Sequence, residues 1–171
     1  MLLNSELLAQ YPHALLADLL IENSYKLVTA ESCTGGLISA VCTSVAGSSN
    51  WFERGFVTYS NEAKTEQLGV DAALIAEHGA VSEPVARAMA FGAIRHSGSP
   101  PRAQVSVAVT GVAGPAGGGA AKPVGTVWFG FWVQGQLSSE MQHFTGDRAA
   151  VREATVQHAL QRLVALLSAP Y

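Results

Sequence analysis

The chain has 171 residues, 49% of them hydrophobic and only 13% charged, with a formal net charge of −3. That is the length of one domain able to bury roughly two thirds of its unfolded surface, and the low charge predicts a large core with further apolar surface hidden in a homo-oligomer. A small negative charge without a basic stripe excludes a general attraction for nucleic acid, residues 1–10 carry no secretory leader, and no apolar run approaches the ~20 residues that span a bilayer. The expectation is a cytoplasmic protein with neither a nucleic-acid nor a membrane partner.

Taken in order, Leu7, Leu8, Tyr11, Leu15, Leu16, Leu19 and Leu20 recur at helical spacing between Ser5 and Asn23. Pro12 interrupts them and predicts a kink or a helix that begins near Pro12. Lys26 to Thr29 reads as the end of a short strand and Leu37 to Val45 as a helix, followed by a turn over Ala46 to Asn50. Phe56 to Ser60 alternates as a strand, Asn61 caps a helix over Glu62 to Leu68, and Asp71 caps another that ends at His78-Gly79. Ser82 opens a longer helix, Glu83 to Ser97, with Pro84 tolerated in its first turn. Ser99-Pro100-Pro101 is the clearest linker, yet strands continue beyond it and the domain is not divided there. Val105, Val107 and Val109 mark a strand, and a glycine-rich loop runs from Thr110 to Lys122-Pro123. Gly125 to Val133 and Gln136 to Phe144 form a hairpin turned at Gln134-Gly135, and Gly146-Asp147 caps a last helix, Arg148 to Ser168. Strands alternating with helices, broken by one hairpin, predict a mixed, mainly parallel sheet with helices on both faces.

The chemistry concentrates in Thr29-Ala30-Glu31-Ser32-Cys33-Thr34-Gly35-Gly36, between a strand and a helix start. A helix start leaves N–H groups unpaired and favours negative charge, whether a phosphate or a developing oxyanion. The competing interpretation is a Ser/Thr-capped helix after a glycine turn, with Glu31 a helix-start acid. Ser32 is the first candidate nucleophile, but a serine hydroxyl needs a base. No histidine lies nearby and no G-x-S-x-G elbow is present. Lys64, just past the next predicted strand, is the alternative base. Lowering its pKa from about 10.4 to about 7.5 requires roughly 4 kcal/mol of differential stabilisation, and a solvated helix lysine is the plain alternative. Tyr59 could relay a proton or sit in the core. Cys33 is the rival nucleophile, its pKa lowered by a helix start, or else buried packing.

The glycine-rich loop fails both phosphate motifs: Ala120-Ala121 stand where a P-loop needs Lys-Ser/Thr, and the G-x-G-x-x-G spacing is absent. It leaves Thr110 and Lys122 as polar anchors, and Arg148 can make a bidentate contact with phosphate or carboxylate. The two cysteines, Cys33 and Cys42, would lie about 13 Å apart if on one helix, too far for a disulfide. They and the scattered histidines offer no metal-ligand spacing, and neither a metal nor a cofactor is expected.

Six blocks carry a resemblance. They are Thr29 to Gly36, Gly55-x-x-x-Tyr59-Ser60-Asn61-Glu62-Ala63-Lys64, Gly79-Ala80-Val81-Ser82-Glu83, Thr110-Gly111-Val112-Ala113-Gly114-Pro115, Lys122 to Val127, and Gly146-Asp147-Arg148. In this order and spacing the chain resembles the C-terminal domain of the competence/damage-inducible CinA proteins, from about Ser5 to Leu167. With no room for the molybdopterin-binding-like domain that precedes it in full-length CinA, it is similar to the stand-alone bacterial form, a single domain over residues 1–171.

The resemblance implies a three-layer α/β/α fold with about five strands, usually oligomeric. It also implies hydrolysis of the carboxamide of nicotinamide mononucleotide to nicotinate mononucleotide and ammonia, with no metal or cofactor. Carried over, Ser32 is the nucleophile and Lys64 with Tyr59 the activating group. Glu31, Cys33, Thr34, Gly35, Gly36, Ser49, Thr110, Gly111 and Arg148 fall where substrate gathers. Val112 stands where isoleucine is common, a mild departure. Two other classes stay open: a nucleotide-binding module without catalysis, and an interaction domain tied to competence or DNA damage.

Overall fold

A computed structural model describes residues 5–169 of the chain; the sequence reading of residues 1–4 lies outside it. Helices α1 (Ser5–Gln10) and α2 (Pro12–Glu22) are separate, because Pro12 opens α2 where its missing N–H is no loss. They are followed by β1 (Leu27–Glu31), α3 (Leu37–Thr43), a 3-10 turn (Ser48–Asn50), β2 (Phe52–Val57), α4 (Asn61–Leu68), α5 (Ala72–His78) and α6 (Glu83–Arg95). Then come β3 (Val105–Gly111), β4 (Thr126–Val133), β5 (Gln136–His143) and α7 (Arg148–Ser168).

Helices α3 and α6 and strand β5 end one or two residues earlier than expected, and three larger departures each have a local reason. β1 runs on to Glu31, so the acid ends a strand instead of starting a helix. β2 lies at Phe52–Val57 and not at Phe56 to Ser60: as an edge strand it tolerates Glu53, Arg54 and Gly55, which break the apolar alternation. The cap of α4 is Ser60, whose hydroxyl accepts from Ala63 N at 3.0 Å, while Asn61 is already helical.

The strands form one sheet in the order β2-β1-β3-β4-β5. β1 pairs in parallel with both β2 and β3, whereas β3–β4 and β4–β5 are antiparallel, so the sheet is evenly divided and not mainly parallel. All five residues of β1 are buried, as a central parallel strand covered on both faces must be. Alternation then sorts the layers. Leu27, Val105, Val107, Val109, Phe129 and Phe131 face α2, α3 and α7, and Val28, Ala30 and Ala108 face α4, α5 and α6. The second face is thin because of Gly130, where a Cβ would stand 2.2 Å from Ala86 O, so α6 lies directly on β4.

The chain leaves β1 to make β2 on one side, then crosses to make β3 on the other. The strand ends at Glu31, Val57 and Gly111 therefore share one rim, at the point where the winding reverses. Open α/β sheets bind ligands at such a point. No described helix is long and apolar enough to cross a membrane.

Candidate active site

Ser32 continues the β1 line by one residue, its N–H donating to Val109 O at 3.1 Å. The chain then turns back through Gly35 (φ +59°) and Gly36 (φ +100°), conformations that side chains resist and that glycine adopts freely. Gly36 is the N-cap of α3 and has no side chain to cap with. Glu31 supplies the missing acceptor from the end of β1. Its fully buried carboxylate accepts from Gly36 N (3.0 Å), Ile38 N (3.0 Å), Ser39 N (2.8 Å), Thr34 Oγ1 (2.7 Å) and Ser39 Oγ (2.7 Å). The helix start thus already holds an anion, and the anion is the protein's own. Glu31 and the Thr34 hydroxyl are turned to this task and away from the cleft.

The same bonding decides which donors remain. Gly35 N is spent on Ser32 O and Gly36 N on Glu31, whereas Cys33 N and Thr34 N have no acceptor among the described residues. Of the four N–H groups between Cys33 and Gly36, only that of Cys33 is both unpaired and on a residue that lines the cleft; Thr34 is fully buried.

Lys64 sits on the buried side of α4 and is 1% exposed. Its Nζ donates to Ser32 Oγ at 3.1 Å and to the carbonyls of Thr58 (2.9 Å), Tyr59 (3.3 Å) and Ser60 (3.4 Å). No carboxylate is within ion-pair distance of it among the described residues. Burial disfavours the ammonium and pushes the Lys64 pKa below its ordinary value. Cys33, also buried, is pushed up to about 11 by the same desolvation, opposite to the lowering expected at a helix start. The thiol is therefore the less activated of the two nucleophile candidates.

Tyr59 contributes its carbonyl to Lys64, but its side chain is 60% exposed and its hydroxyl accepts from Arg148 Nη2 at 3.0 Å. Arg148, the first residue of α7, also donates from Nη1 to Gly114 O at 2.9 Å. Thr110 donates its hydroxyl to Ala80 O at 2.8 Å. Together Ser32, Cys33, Tyr59, Lys64, Thr110 and Gly111 line a cleft of about 220 Å³, joined by Asn61, Ala80, Val81, Ala113 and Arg148. Arg148 and Ala113 also line an adjoining cleft of about 510 Å³ along Gly114, Pro115, Val124 and Gly146.

Glu31, Thr34, Gly35 and Gly36, expected to gather substrate, do not line this cleft, and two further expected residues lie elsewhere. Ser49 stands beside Lys26, whose Nζ donates to Ser49 O at 3.0 Å, at the opposite end of β1 from Ser32. Lys122 ties the glycine-rich loop to α5 through His78 O at 2.9 Å. One residue was missed. Arg152 donates from Nε to Cys33 O (3.2 Å) and from Nη2 to Thr34 O (3.0 Å), gripping the nucleophile turn. Its signal was there: it follows Arg148 by four residues, on one face of a capped helix.

A mixed α/β/α sheet that sets a serine against a buried lysine where its winding reverses defines one kind of fold and site. The chain belongs to the CinA C-terminal domain family, whose sequence profile matches residues 10–167. It is 53% identical over 138 residues to the nicotinamide-nucleotide amidohydrolase PncC of Escherichia coli strain K12, covering 80% of this chain and 81% of that one. The Pseudomonas putida protein of the same name is 53% identical over 141 residues, covering 82% and 86%. Among solved structures, a CinA superfamily protein from Klebsiella pneumoniae superposes with a TM-score of 0.86 at 38% identity, covering 93% of this chain and 99% of that one.

Proposed function

We propose that this chain hydrolyses the carboxamide of nicotinamide mononucleotide, giving nicotinate mononucleotide and ammonia through a serine acyl-enzyme. The observation that carries the reading is the 3.1 Å contact between Ser32 Oγ and a lysine Nζ shielded from water. The substrate follows from what the Escherichia coli and Pseudomonas putida relatives are called.

A neutral Lys64 amine has two N–H bonds and one lone pair. The two N–H bonds match the Thr58 and Tyr59 carbonyls, and the lone pair then faces the Ser32 O–H. Lys64 takes the serine proton as Ser32 Oγ bonds to the amide carbon. The oxyanion rests on the N–H group of Cys33, a stabilisation of about 3–4 kcal/mol. The C–N bond breaks as Lys64 returns its proton to the leaving nitrogen, which departs as ammonia. Water, deprotonated by Lys64, then attacks the ester; nicotinate leaves and Ser32 Oγ recovers its proton.

The assay is release of ammonia and nicotinate mononucleotide in equal amounts from nicotinamide mononucleotide. A folded protein that binds the nucleotide but releases neither product would instead be a binding module. If Cys33→Ala were inactive and Ser32→Ala active, the thiol would be the nucleophile.

In this reading the ring lies against Ser32 and the phosphate reaches Arg148, in the wall shared by the two clefts. A charge-assisted contact worth about 1.5–3 kcal/mol corresponds to roughly 10–150-fold in affinity. Arg148→Ala is therefore expected to raise KM by that factor for the mononucleotide and to leave KM for nicotinamide riboside nearly unchanged. Equal effects on both substrates would remove the phosphate from Arg148.

A further inference from the structure

The free Cys33 N–H of the Ser32 turn is useful only if it stays aimed at the cleft, and a glycine-containing turn does not guarantee that. In a trans peptide the C=O and N–H point in opposite directions, so whatever holds the carbonyl also sets the N–H. The Cys33 N–H belongs to the peptide whose carbonyl is Ser32 O, which Gly35 N holds at 3.0 Å; Arg152 Nε donates to the following carbonyl, Cys33 O, at 3.2 Å. Arg152 Nη2 donates to the next carbonyl, Thr34 O, at 3.0 Å. Cys33 lines the cleft and Arg152 does not, so the guanidinium grips the turn from behind.

A fork held on two successive carbonyls opposes the crankshaft rotation that would pull Gly35 N off Ser32 O and turn the Cys33 N–H away. The same guanidinium would meet a Cβ at Gly35 at 3.7 Å, so it packs closely against the turn. Among the described residues no carboxylate is within ion-pair distance of Arg152. Its charge is thus left to polarise the peptide, which makes the opposite N–H a stronger donor.

We infer that Arg152 is a positioning residue: it fixes the Thr34–Gly35 peptide, whose N–H holds Ser32 O, so that the Cys33 N–H on the far side of that carbonyl meets the oxyanion formed at Ser32. The inference rests on the acyl-enzyme reading above. It assigns Arg152 a function separate from that of Arg148, one helical turn earlier, which touches the substrate itself.

The test compares Arg152→Ala, Arg152→Lys and Arg162→Ala with the parent chain. Arg162 is a control on the same helix, paired with Glu140 at 2.8 Å and remote from the turn. Loss of one oxyanion donor lowers kcat by about 100-fold or more. Arg152→Ala is expected to lower kcat by that order while KM for nicotinamide mononucleotide moves less than about threefold, so that kcat/KM falls with kcat. Arg152→Lys, a point charge without the fork, recovers only part of the rate. Free guanidinium at millimolar concentration restores part of the Arg152→Ala rate and has no effect on Arg162→Ala, which keeps the parent kcat.

A parent-like kcat in Arg152→Ala overturns the inference. So does an equal loss in Arg162→Ala, or a loss that appears in KM. A second readout needs no nucleotide: the rate at which a fluorophosphonate labels Ser32, since its phosphoryl oxygen uses the same donor. Slower labelling in Arg152→Ala, in a protein that fails to turn over the mononucleotide, keeps the positioning role and removes the substrate. Equal labelling rates, or no labelling of the parent chain, removes the positioning role.

Discussion

Ser32→Ala is expected to release ammonia from nicotinamide mononucleotide on the order of 10⁵ times more slowly than the parent chain, Lys64→Met to fall to a similar level, and the double substitution to be no worse. The three values coincide because the serine and lysine act as one unit. Without the base the hydroxyl is a poor nucleophile, and without the hydroxyl the base has no proton to take. What survives is binding and the oxyanion donor, which neither substitution touches. A Lys64→Met protein within tenfold of the parent would remove the lysine from the chemistry.

The pH dependence follows from the burial of Lys64. Its pKa is lowered from 10.5 because the buried site disfavours the ammonium. The reaction needs the neutral amine, so kcat/KM should rise with pH through that lowered pKa. Stability responds in the same direction. Between the folded pKa and the unfolded value near 10.5, the unfolded chain binds a proton that the native state does not, and unfolding becomes harder as pH rises. As pH falls through that window this stability is lost. Lys64→Met should lack the slope, which urea unfolding at several pH values will show.

The second large effect is on folding. Glu31→Ala leaves three N–H and three hydroxyl donors, those of Thr29, Thr34 and Ser39, without this buried acceptor. Each such bond to a charged group is worth about 1.5–3 kcal/mol, and the losses overlap because the donors share two oxygens. A total near 4 kcal/mol is expected, which for a chain of this length lowers Tm by roughly 8–16 °C. Glu31→Gln should fall between, because its NH₂ group must face one set of donors. A Glu31→Ala protein that melts within about 2 °C of the parent would mean that other groups satisfy the turn.

The sequence was most legible where local chemistry and tertiary packing agree. Asp147 capping a run of apolar residues at helical spacing marks α7, and the structure starts and ends that helix where expected. It was least legible where one residue serves a distant partner. Glu31 looks like a helix-start acid in sequence, yet it caps α3 from the end of a strand. Lys64, between the exposed Glu62 and Glu66, looks solvated; only the sheet rim beneath α4 buries it. Ser49 follows the nucleophile closely along the chain, but proximity in sequence does not tell which end of a strand a turn occupies. Arg152 meets carbonyls 118 and 119 residues away, a pairing no local pattern contains.

That separation has a consequence in time. A nascent chain that has emerged as far as β5 already carries Ser32, Lys64 and the hinge glycines. It has neither of the guanidinium groups that brace the turn and wall the cleft. Both arrive only when α7 docks, so the site is completed by the last helix of the domain. Before that step Ser32 and Lys64 can already meet on the sheet rim, but in a turn that no guanidinium braces.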